Sequence, residues 1–427
     1  MPDATIFALS SGAPPAGIAI IRVSGPLAGE ALRRLSGRAL PPPRTASLRL
    51  LRDAAAEPLD RALVLWMPGP ATVTGEDMVE LHCHGGRAVI AAVEKSLAGM
   101  PGLRRAEAGE FTRRAFANGR MDLNAVEGLA DLLAAETQGQ RRAALMMAEG
   151  HFSRRIAAWR EALLQLSAMA EAALDFSDED DVPDAAIGDR IGDGIAALER
   201  EVGQALDAPS AERLRDGVRV VLAGPPNAGK STLLNALVGR DAAIVSDIAG
   251  TTRDRIEVPA AIGGVAFLLT DTAGLRSDSD DPVEAIGIAR ARAALEAADI
   301  ILWLGDGKDL PREDAILISA QRDRQPADRP GLNLSAVTGE GMDRLITQLL
   351  DRASHLLPGP GDVALHARQR QRVRQLHGHL TAAARHTDLL VIAEELRLAR
   401  AAIDALTGQA GTEDMLDRLF GSFCIGK

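Results

Sequence analysis

The stretch that decides the fold of this chain is Val218-Arg-Val-Val-Leu-Ala-Gly-Pro-Pro-Asn-Ala-Gly-Lys-Ser-Thr-Leu-Leu-Asn-Ala-Leu-Val238. Its first six residues predict a buried strand, and Gly224 to Ser231 follow at once with the spacing GxxxxGK[ST]. Thr232 then opens a helical pattern. In such a turn the backbone N–H groups point inward around phosphate oxygens, and the helix N-terminus adds a positive field. The stretch therefore predicts a phosphate-binding loop in a parallel α/β sheet.

The loop contains a lysine and a serine, whose ammonium and hydroxyl groups are expected to bind phosphate and metal. Lys230 is expected to contact the β- and γ-phosphates, and the Ser231 hydroxyl to bind Mg²⁺. Beyond the loop helix, Ile244-Val-Ser-Asp-Ile-Ala-Gly-Thr-Thr-Arg253 stands where the first switch of such a domain belongs. Thr252 in this segment supplies a second hydroxyl ligand for Mg²⁺.

A third element follows in order. Val265-Ala-Phe-Leu-Leu-Thr270 predicts a strand that ends in Asp271-Thr-Ala-Gly274. Asp271 is placed to hold Mg²⁺ through water, and the Gly274 N–H to contact the γ-phosphate. One glycine-rich turn can match by chance, whereas three elements in order are far more specific. The residues predicted to contact nucleotide here are Asn227, Ala228, Gly229, Lys230, Ser231, Thr232, Ser246, Asp247, Ile248, Ala249, Gly250, Thr251, Thr252, Asp271, Thr272, Ala273 and Gly274.

The residues that would select the base are less complete. Where a guanine-reading Asn-Lys-x-Asp is expected, the chain has Ala320-Gln-Arg-Asp323, so only the aspartate can pair with the N1 and N2 donors of guanine. Leu334-Ser-Ala-Val337 resembles a second guanine loop, with Ser335 and Ala336 as contacts. An ordinary surface carboxylate is the alternative interpretation of Asp323. The pattern favours guanine over adenine. Because the Asn and Lys of the motif are missing, a weak affinity for guanine remains an alternative.

Hydrolysis needs a group that positions water. Many small GTPases place glutamine directly after the Asp-Thr-Ala-Gly element, but this chain has Leu275, which cannot orient water. Glu284 is the best-placed acid downstream, and no arginine finger is evident.

Composition bounds the class of protein. A length of 427 residues predicts two or three domains, and the formal net charge of −11 argues against a broad electrostatic footprint on nucleic acid. Two cysteines, Cys83 and Cys424, cannot form a disulfide framework or a cysteine-rich zinc site. The N-terminus lacks the pattern of a signal peptide, and no window is apolar enough for a membrane span, so we expect a cytoplasmic protein.

The chain predicts a multidomain α/β fold. Residues 1–118 mix short strands with Gly/Pro turns and read as an α+β domain, and residues 119–212 are helical. Residues 213–356 alternate strands and helices, which is typical of a Ras-like domain with a mostly parallel sheet. Residues 357–427 return to helical periodicity. The α/β domain therefore reads as an insertion between two parts of one helical domain.

These motifs resemble one known family. GPPNAGKSTL, VSDIAGTTRD, DTAGLR and the terminal Phe423-Cys-Ile-Gly-Lys427 are together similar to the MnmE (TrmE) family of tRNA-modification GTPases. The N-terminal markers IIRVSG (20–25), TGEDMVELHCHGG (74–86) and GEFTRRAFANGRMDL (109–123) extend the resemblance over nearly the whole chain.

The resemblance implies how hydrolysis is achieved. In this family the G domains of a homodimer pair across the nucleotides, and K⁺ takes the place of an arginine finger, where it neutralises charge that develops between the phosphates. By motif match, the K⁺ ligands are Asn227, Ser246 and Thr251 with the Ile248 carbonyl, and Glu284 acts through water.

The resemblance also implies the wider reaction. With a flavin-dependent, FAD-carrying partner, MnmG, the family installs an aminomethyl-type group at C5 of the wobble uridine of certain tRNAs. A tetrahydrofolate, 5-formyl or methylene, supplies the carbon and binds the N-terminal domain, which also dimerises. Positions that match folate contacts are Arg22, Glu80, Arg120 and Lys427, although surface charge is their simpler interpretation. Cys424 is a candidate catalytic thiol or a buried small hydrophobe.

Some features leave alternatives open. Ala13-Pro-Pro-Ala-Gly17 is shorter than the family's glycine-rich segment, and the connection from Leu304 to Ala315 is too short for a full helix. His82-Cys83-His84 invites a metal site, but strand alternation points the histidines away from the cysteine. A ribosome-assembly GTPase of the Era or Der type would need an RNA-binding KH-like module, which is not evident. A weak nucleotide-binding scaffold is the second alternative.

Overall fold

The computed structural model describes residues 4–175, 184–208, 210–241, 257–272, 283–320, 322–323, 329–359, 363–408, 413–421, 423 and 425–426. The predictions for Ser246, Asp247, Ile248, Ala249, Gly250, Thr251, Thr252, Ala273, Gly274, Cys424 and Lys427 lie outside these residues. By packing, the chain divides into two compact units, Met1–Ala130 with Thr407–Lys427, and Asp131–Leu406.

The elements are, in chain order, β1 (Thr5–Leu9), β2 (Ala16–Ser24), α1 (Ala28–Ser36), β3 (Ser47–Arg52), β4 (Pro58–Met67), β5 (Met78–Gly85), α2 (Arg87–Ala98), β6 (Leu103–Arg105), α3 (Glu110–Ala117), α4 (Leu123–Ala134), α5 (Gln138–Ala148), α6 (His151–Asp175), α7 (Asp184–Asp207), α8 (Ala211–Asp216), β7 (Val218–Ala223), α9 (Lys230–Asp241), β8 (Glu257–Ile262), β9 (Val265–Asp271), α10 (Val283–Ala297), β10 (Ile300–Trp303), β11 (Ile316–Ser319), β12 (Leu332–Asn333), α11 (Met342–Leu356), α12 (Ala367–Arg385), α13 (Leu389–Thr407) and α14 (Glu413–Gly421).

The first unit is built on a six-stranded sheet in the order β3-β4-β5-β2-β1-β6. Neighbours are antiparallel except β1 and β6. Alternate residues of β4 turn inward, so Ala62 and Val64 pack with the apolar sides of α1 and α2. On strands β2, β3 and β4 the structure leaves large apolar side chains exposed: Ile18 by 61%, Leu48 by 60% and Leu63 by 40%.

The C-terminal segment belongs to this first unit. Phe420 and Phe423 pack with Val126, and Phe116 lies against the Phe420 ring with 6.1 Å between ring centroids. The sequence-based boundaries group residues 357–427 with the helical segment, whereas packing separates the part from Thr407 onward because these aromatic rings bury against α3 and α4. The domain boundaries predicted from the sequence, at residues 118, 212 and 356, remain predictions.

In the second unit, helices that precede the α/β section in the sequence and helices that follow it share one hydrophobic core. Residues of α6 and α7, such as Trp159 and Ile195, share a cluster with Val373 of α12 and Leu396 of α13. The basic run at 368–374 supports this packing, because Arg370 donates to the Leu206 carbonyl at 2.7 Å and so satisfies the end of α7.

The α/β section is a second six-stranded sheet in the order β12-β11-β10-β7-β9-β8. Neighbours are parallel except β8 and β9. Helices α9 and α11 cover one face, and α10 packs on the other beside Val221 and Ile301. Residues 304–315 form turns rather than a helix, as their length predicts. This Ras-like strand order brings the ends of β7, β9, β10 and β11 to one edge.

Candidate nucleotide-binding site

The loop after β7 has a backbone that its sequence dictates. Gly224 has φ +148°, and a Cβ there would stand 2.7 Å from the Leu304 carbonyl oxygen. Gly229 also has positive φ, and so does Asn227, at 60°. Asparagine tolerates this left-handed conformation better than most residues with a side chain. The loop therefore closes tightly against Leu304, the residue that follows β10.

The lysine of the motif lies inside that loop. Lys230 is only 5% exposed, and its ammonium donates to the carbonyl oxygens of Gly224 at 3.0 Å and Pro225 at 2.8 Å. Because Lys230 is the first residue of α9, the fixed positive charge and the helix N-terminus lie together. This arrangement suits a di- or triphosphate.

The predicted magnesium residues meet across the sheet. The Ser231 hydroxyl donates to a carboxylate oxygen of Asp271, which is 9% exposed. The register of β7 and β9 pairs Asp271 with Leu222, and the Thr272 hydroxyl donates to the Leu222 carbonyl at 2.9 Å. A hydroxyl and a carboxylate are hard oxygen donors, so this pair fits Mg²⁺. Thr232 continues α9 with its side chain exposed.

Open space flanks the loop on both sides. A cleft of about 600 Å³ lies along residues 223–227 and Lys230, and it continues to Trp303 and Asp306. A second cleft of about 510 Å³ borders Asn227, Ala228 and Ala320. Both volumes fall in the range of ligand sites. Trp303 and Asp306 were not predicted; their place at the end of β10, on the same sheet edge, is the signal that indicates them.

The two segments predicted to select the base lie in contact with each other. The Ser335 hydroxyl, fully buried, donates to the Asp323 carboxylate at 2.7 Å. The Thr338 N–H donates to the same hydroxyl at 3.2 Å. Ala320 and Ala336 pack against the core of the α/β section. Asp323 is exposed at the sheet edge, where the Ser335 hydroxyl holds its carboxylate.

Glu284 lies in α10, but its side chain is outside the described residues. Among the described side chains, no group of three or more His, Cys, Asp or Glu could hold a metal ion.

On the first unit, two of the predicted folate residues bind each other. Arg22 and Glu80 face each other across β2 and β5, and the guanidinium donates to one carboxylate oxygen at 2.8 and 3.1 Å. Arg22 also lies over the Phe111 ring, 5.9 Å from its centroid. Arg120 donates to the Thr72 carbonyl at 3.1 Å.

The His-Cys-His segment behaves as a strand. Cys83 is 2% exposed, whereas the His84 side chain is 74% exposed and contacts Asp60 at 2.7 Å. Burial, with a smaller contribution from the Asp60 charge, raises the pKa of the Cys83 thiol to about 12. Cys83 is therefore a buried neutral thiol, and alternation separates it from the histidines as predicted.

The comparisons with known proteins bear on the whole chain. Residues 5–120 match the family model described as "GTP-binding protein TrmE N-terminus", and residues 123–424 match the "MnmE helical domain". Among curated relatives, the "tRNA modification GTPase MnmE" of Erythrobacter litoralis is 59% identical over 426 residues, which cover 99% of this chain and 100% of the relative. The protein of the same description from Rhizorhabdus wittichii is 60% identical, over 99% of this chain and 96% of its own length.

Solved structures offer a weaker likeness. The G domain of the T. maritima FeoB iron transporter is 26% identical over 32% of this chain and 98% of its own, with a TM-score of 0.24. No helix in the described segments is long and apolar enough to cross a membrane. The family models and the full-length relatives confirm the resemblance seen in the motifs: the chain belongs to the MnmE family of tRNA modification GTPases.

Proposed function

We propose that this chain is a potassium-dependent GTPase that acts with a flavin-dependent, MnmG-type partner. Together they would install an aminomethyl or carboxymethylaminomethyl group at C5 of the wobble uridine of certain tRNAs. The observation that carries the GTPase part is the contact between Ser231 and Asp271 directly beside the buried Lys230. It brings together, at one edge of the sheet, an ammonium group suited to phosphate and a hydroxyl–carboxylate pair suited to Mg²⁺.

Different residues of this chain would bind the phosphates, hold the metal and position the attacking water. Lys230 neutralises charge on the β- and γ-phosphates, and backbone N–H groups of the loop hold their oxygens. Ser231 and Asp271, with Thr252, would hold Mg²⁺, which when bound offsets charge on the phosphates. Glu284 is the residue we assign to the attacking water, because Leu275 cannot orient it.

The same loop supports the proposal for potassium. Asn227 lies in the middle of the loop and borders both clefts beside it. A side-chain oxygen there is a suitable ligand for a monovalent cation near the phosphates. Ser246, Thr251 and the Ile248 carbonyl would complete the site, with the second G domain of a dimer closing over it.

The first unit supports the folate and dimer proposals. Arg22 and Glu80 lie on strands β2 and β5, and His82 stands 3.4 Å from the Glu80 carboxylate. This cluster offers cationic and acceptor groups for the glutamate tail and pterin of a tetrahydrofolate. Ile18, Leu48 and Leu63 expose apolar surface on the same sheet, which a second copy would bury. With a net charge of −11, tRNA contact is expected mainly through the complex with the partner.

The test compares GTP hydrolysis by the purified chain in KCl and in NaCl, each with Mg²⁺. We expect potassium-stimulated hydrolysis in the wild type and its loss in Glu284→Ala, with nucleotide binding retained. Equal rates in both salts would refute the potassium proposal, and no hydrolysis in either salt would favour a nucleotide-binding scaffold. The modification itself is tested by analysing wobble nucleosides in tRNA from a deletion strain. Persistence of the modified uridine would refute that part.

A further inference from the structure

Residues 322–323, which carry Asp323, are joined by several contacts to residues 334–340. We call residues 334–340 the second base loop. The Arg322 N–H donates to the Leu334 carbonyl at 3.2 Å, and the Ser335 hydroxyl donates to Asp323 at 2.7 Å. The Arg322 guanidinium also forms an ion pair with Glu340, with 3.1 Å between Nε and Oε1. Asp323 thus contacts the start of the second base loop at Ser335, and its neighbour Arg322 contacts the end of that loop at Glu340.

The second base loop is itself closed by its backbone. The Ser335 N–H donates to the Glu340 carbonyl at 2.9 Å, and the Gly339 N–H donates to the Ser335 carbonyl at 2.9 Å. Glu340 is therefore fixed relative to Ser335, the residue that holds Asp323. An ion pair to Glu340 acts on the same short framework that places the Asp323 carboxylate.

The usual support for this aspartate is missing. Ala320 presents only a methyl group, and it packs against the apolar core of the α/β section. An asparagine at that position would supply polar contacts that alanine cannot. The described contacts that orient Asp323 therefore come from the opposite loop.

We infer that the Arg322–Glu340 ion pair is a positioning element for guanine selection, which holds Asp323 against the N1 and N2 donors of the base in place of the lost Asn-Lys support. Arg322 and Glu340 act through Asp323 and need not touch the nucleotide. The inference rests on the proposed reading of guanine by Asp323.

The size of the effect follows from exposure. The Arg322 side chain is 33% exposed and that of Glu340 is 58% exposed, so the pair is screened by water. Exposed ion pairs typically have a small effect, which for a position that orients a binding residue corresponds to about a two- to fivefold change in affinity. The clearer readout is selectivity. IDP lacks the 2-amino group that Asp323 would accept from, so a displaced carboxylate loses more affinity for GDP than for IDP.

The experiment measures GDP and IDP dissociation constants with the full-length chain for wild type, Arg322→Glu, Glu340→Arg and the double exchange. We expect each single variant to bind GDP about two- to fivefold more weakly with a smaller GDP/IDP preference, and the double exchange to restore both. The Arg397→Glu variant, which breaks an exposed pair with Glu394 on α13, is the matched control and should change neither value.

Unchanged GDP affinity in both single variants would overturn the inference, and so would equal losses for GDP and IDP or a double exchange that fails to recover. An Asp323→Asn variant separates this failure from failure of guanine reading. An amide can donate to the 2-oxo group of xanthine, so we expect it to lose GDP and gain xanthosine diphosphate. If it does neither, the reading of guanine by Asp323 fails and the inference fails with it.

Discussion

The Ser231 hydroxyl donates a hydrogen bond to the Asp271 carboxylate, although 40 positions separate the two residues in sequence. The contact forms because β7 and β9 are adjacent and parallel, so the first turn of α9 and the end of β9 reach the same edge. Under the proposed function, a Mg²⁺ ion bound here would link the phosphate loop to the segment after β9 and so couple that segment to the bound nucleotide.

Replacing Ser231 with alanine should therefore remove a metal ligand and leave Asp271 without its hydroxyl partner. We expect GTP hydrolysis to fall at least about 100-fold, because the metal's charge stabilisation is worth several kcal/mol. The Mg²⁺ concentration for half-maximal activity should rise as well. Ser231→Thr keeps a hydroxyl and is the matched control. An alanine variant with wild-type Mg²⁺ dependence would rule out Ser231 as a ligand.

Asn227 allows the backbone and the side chain to be tested separately. Its φ of 60° suits glycine, so Asn227→Gly should preserve the loop, whereas Asn227→Ala should add strain of about 1 kcal/mol. We expect the glycine variant to bind GDP like the wild type but to hydrolyse GTP equally slowly in KCl and NaCl. If potassium stimulation survives in Asn227→Gly, then Asn227 is a turn residue only and another group binds the ion.

Much of the nucleotide site is readable from the sequence because it is built from local patterns. The strand, loop and helix around Lys230 are contiguous, and parallel strands bring their carboxyl ends together by rule. The short connection from Leu304 to Ala315 could likewise be read from its length. Motifs indicate Asp323 and Ser335 separately, and the hydrogen bond between them is visible only in the structure.

Other relationships could not be read in this way. The Arg22–Glu80 pair joins residues 58 positions apart on strands that are neighbours only through the sheet register, which composition does not reveal. The packing of Phe420 on the first unit is similarly long-range. Arg370 looks like part of a basic patch, but its guanidinium satisfies carbonyls at the end of α7, a role that depends on tertiary placement.

The Cys83 thiol should be inert in the folded protein. Its pKa of about 12 lies above the ordinary value of 9.0, so it stays protonated and unreactive near pH 8. In a Cys424→Ser variant we expect no reaction with a thiol reagent at pH 8 until the chain is denatured. The Cys83→Ser variant, which retains Cys424, is the control. Rapid labelling of native Cys424→Ser would contradict the burial of Cys83.

The same pKa has a consequence for stability. Above pH 9 the unfolded chain loses the Cys83 proton while the folded chain keeps it, so rising pH favours unfolding between about 9 and 12. We expect unfolding midpoints of wild type to fall over this range more steeply than those of Cys83→Ala. Parallel pH profiles for the two proteins would show that the thiol does not titrate with the predicted shift.

Breaking the Arg22–Glu80 pair should affect ligand binding more than folding. The two side chains are 22% and 16% exposed, so each is partly accessible, and the pair could exchange partners with a charged ligand. For Arg22→Gln or Glu80→Gln we expect 5-formyltetrahydrofolate, measured by calorimetry, to bind at least about tenfold more weakly. Glu30→Gln removes the more exposed contacts of Glu30 with Arg33 and Arg34 on α1, away from the site, and should bind normally. Wild-type affinity in both site variants would refute the folate assignment.

Gln140 should be the most stabilising polar side chain of the α5 region, because it satisfies four backbone groups at once. Its amide oxygen accepts from the N–H groups of Glu136 at 2.8 Å and Thr137 at 2.9 Å, and its amide nitrogen donates to the carbonyls of Leu214 at 3.0 Å and Arg215 at 3.1 Å. The side chain thereby joins the start of α5 to the end of α8, just before β7.

Gln140→Leu keeps the volume but leaves these groups without a partner in a site where the wild-type residue is 8% exposed. Since each buried unpaired group costs about 1–3 kcal/mol and some will reach water, we expect a loss of about 2–4 kcal/mol in unfolding free energy for this unit. Backbone amides of 211–217 should also exchange with deuterium faster. Gln138→Leu, on the exposed side of the same helix, should stay within about 0.5 kcal/mol of wild type. Equal unfolding curves for the two variants would mean that water replaces Gln140 without cost, and that α8 is held by its other contacts, such as the Arg213–Asp299 ion pair.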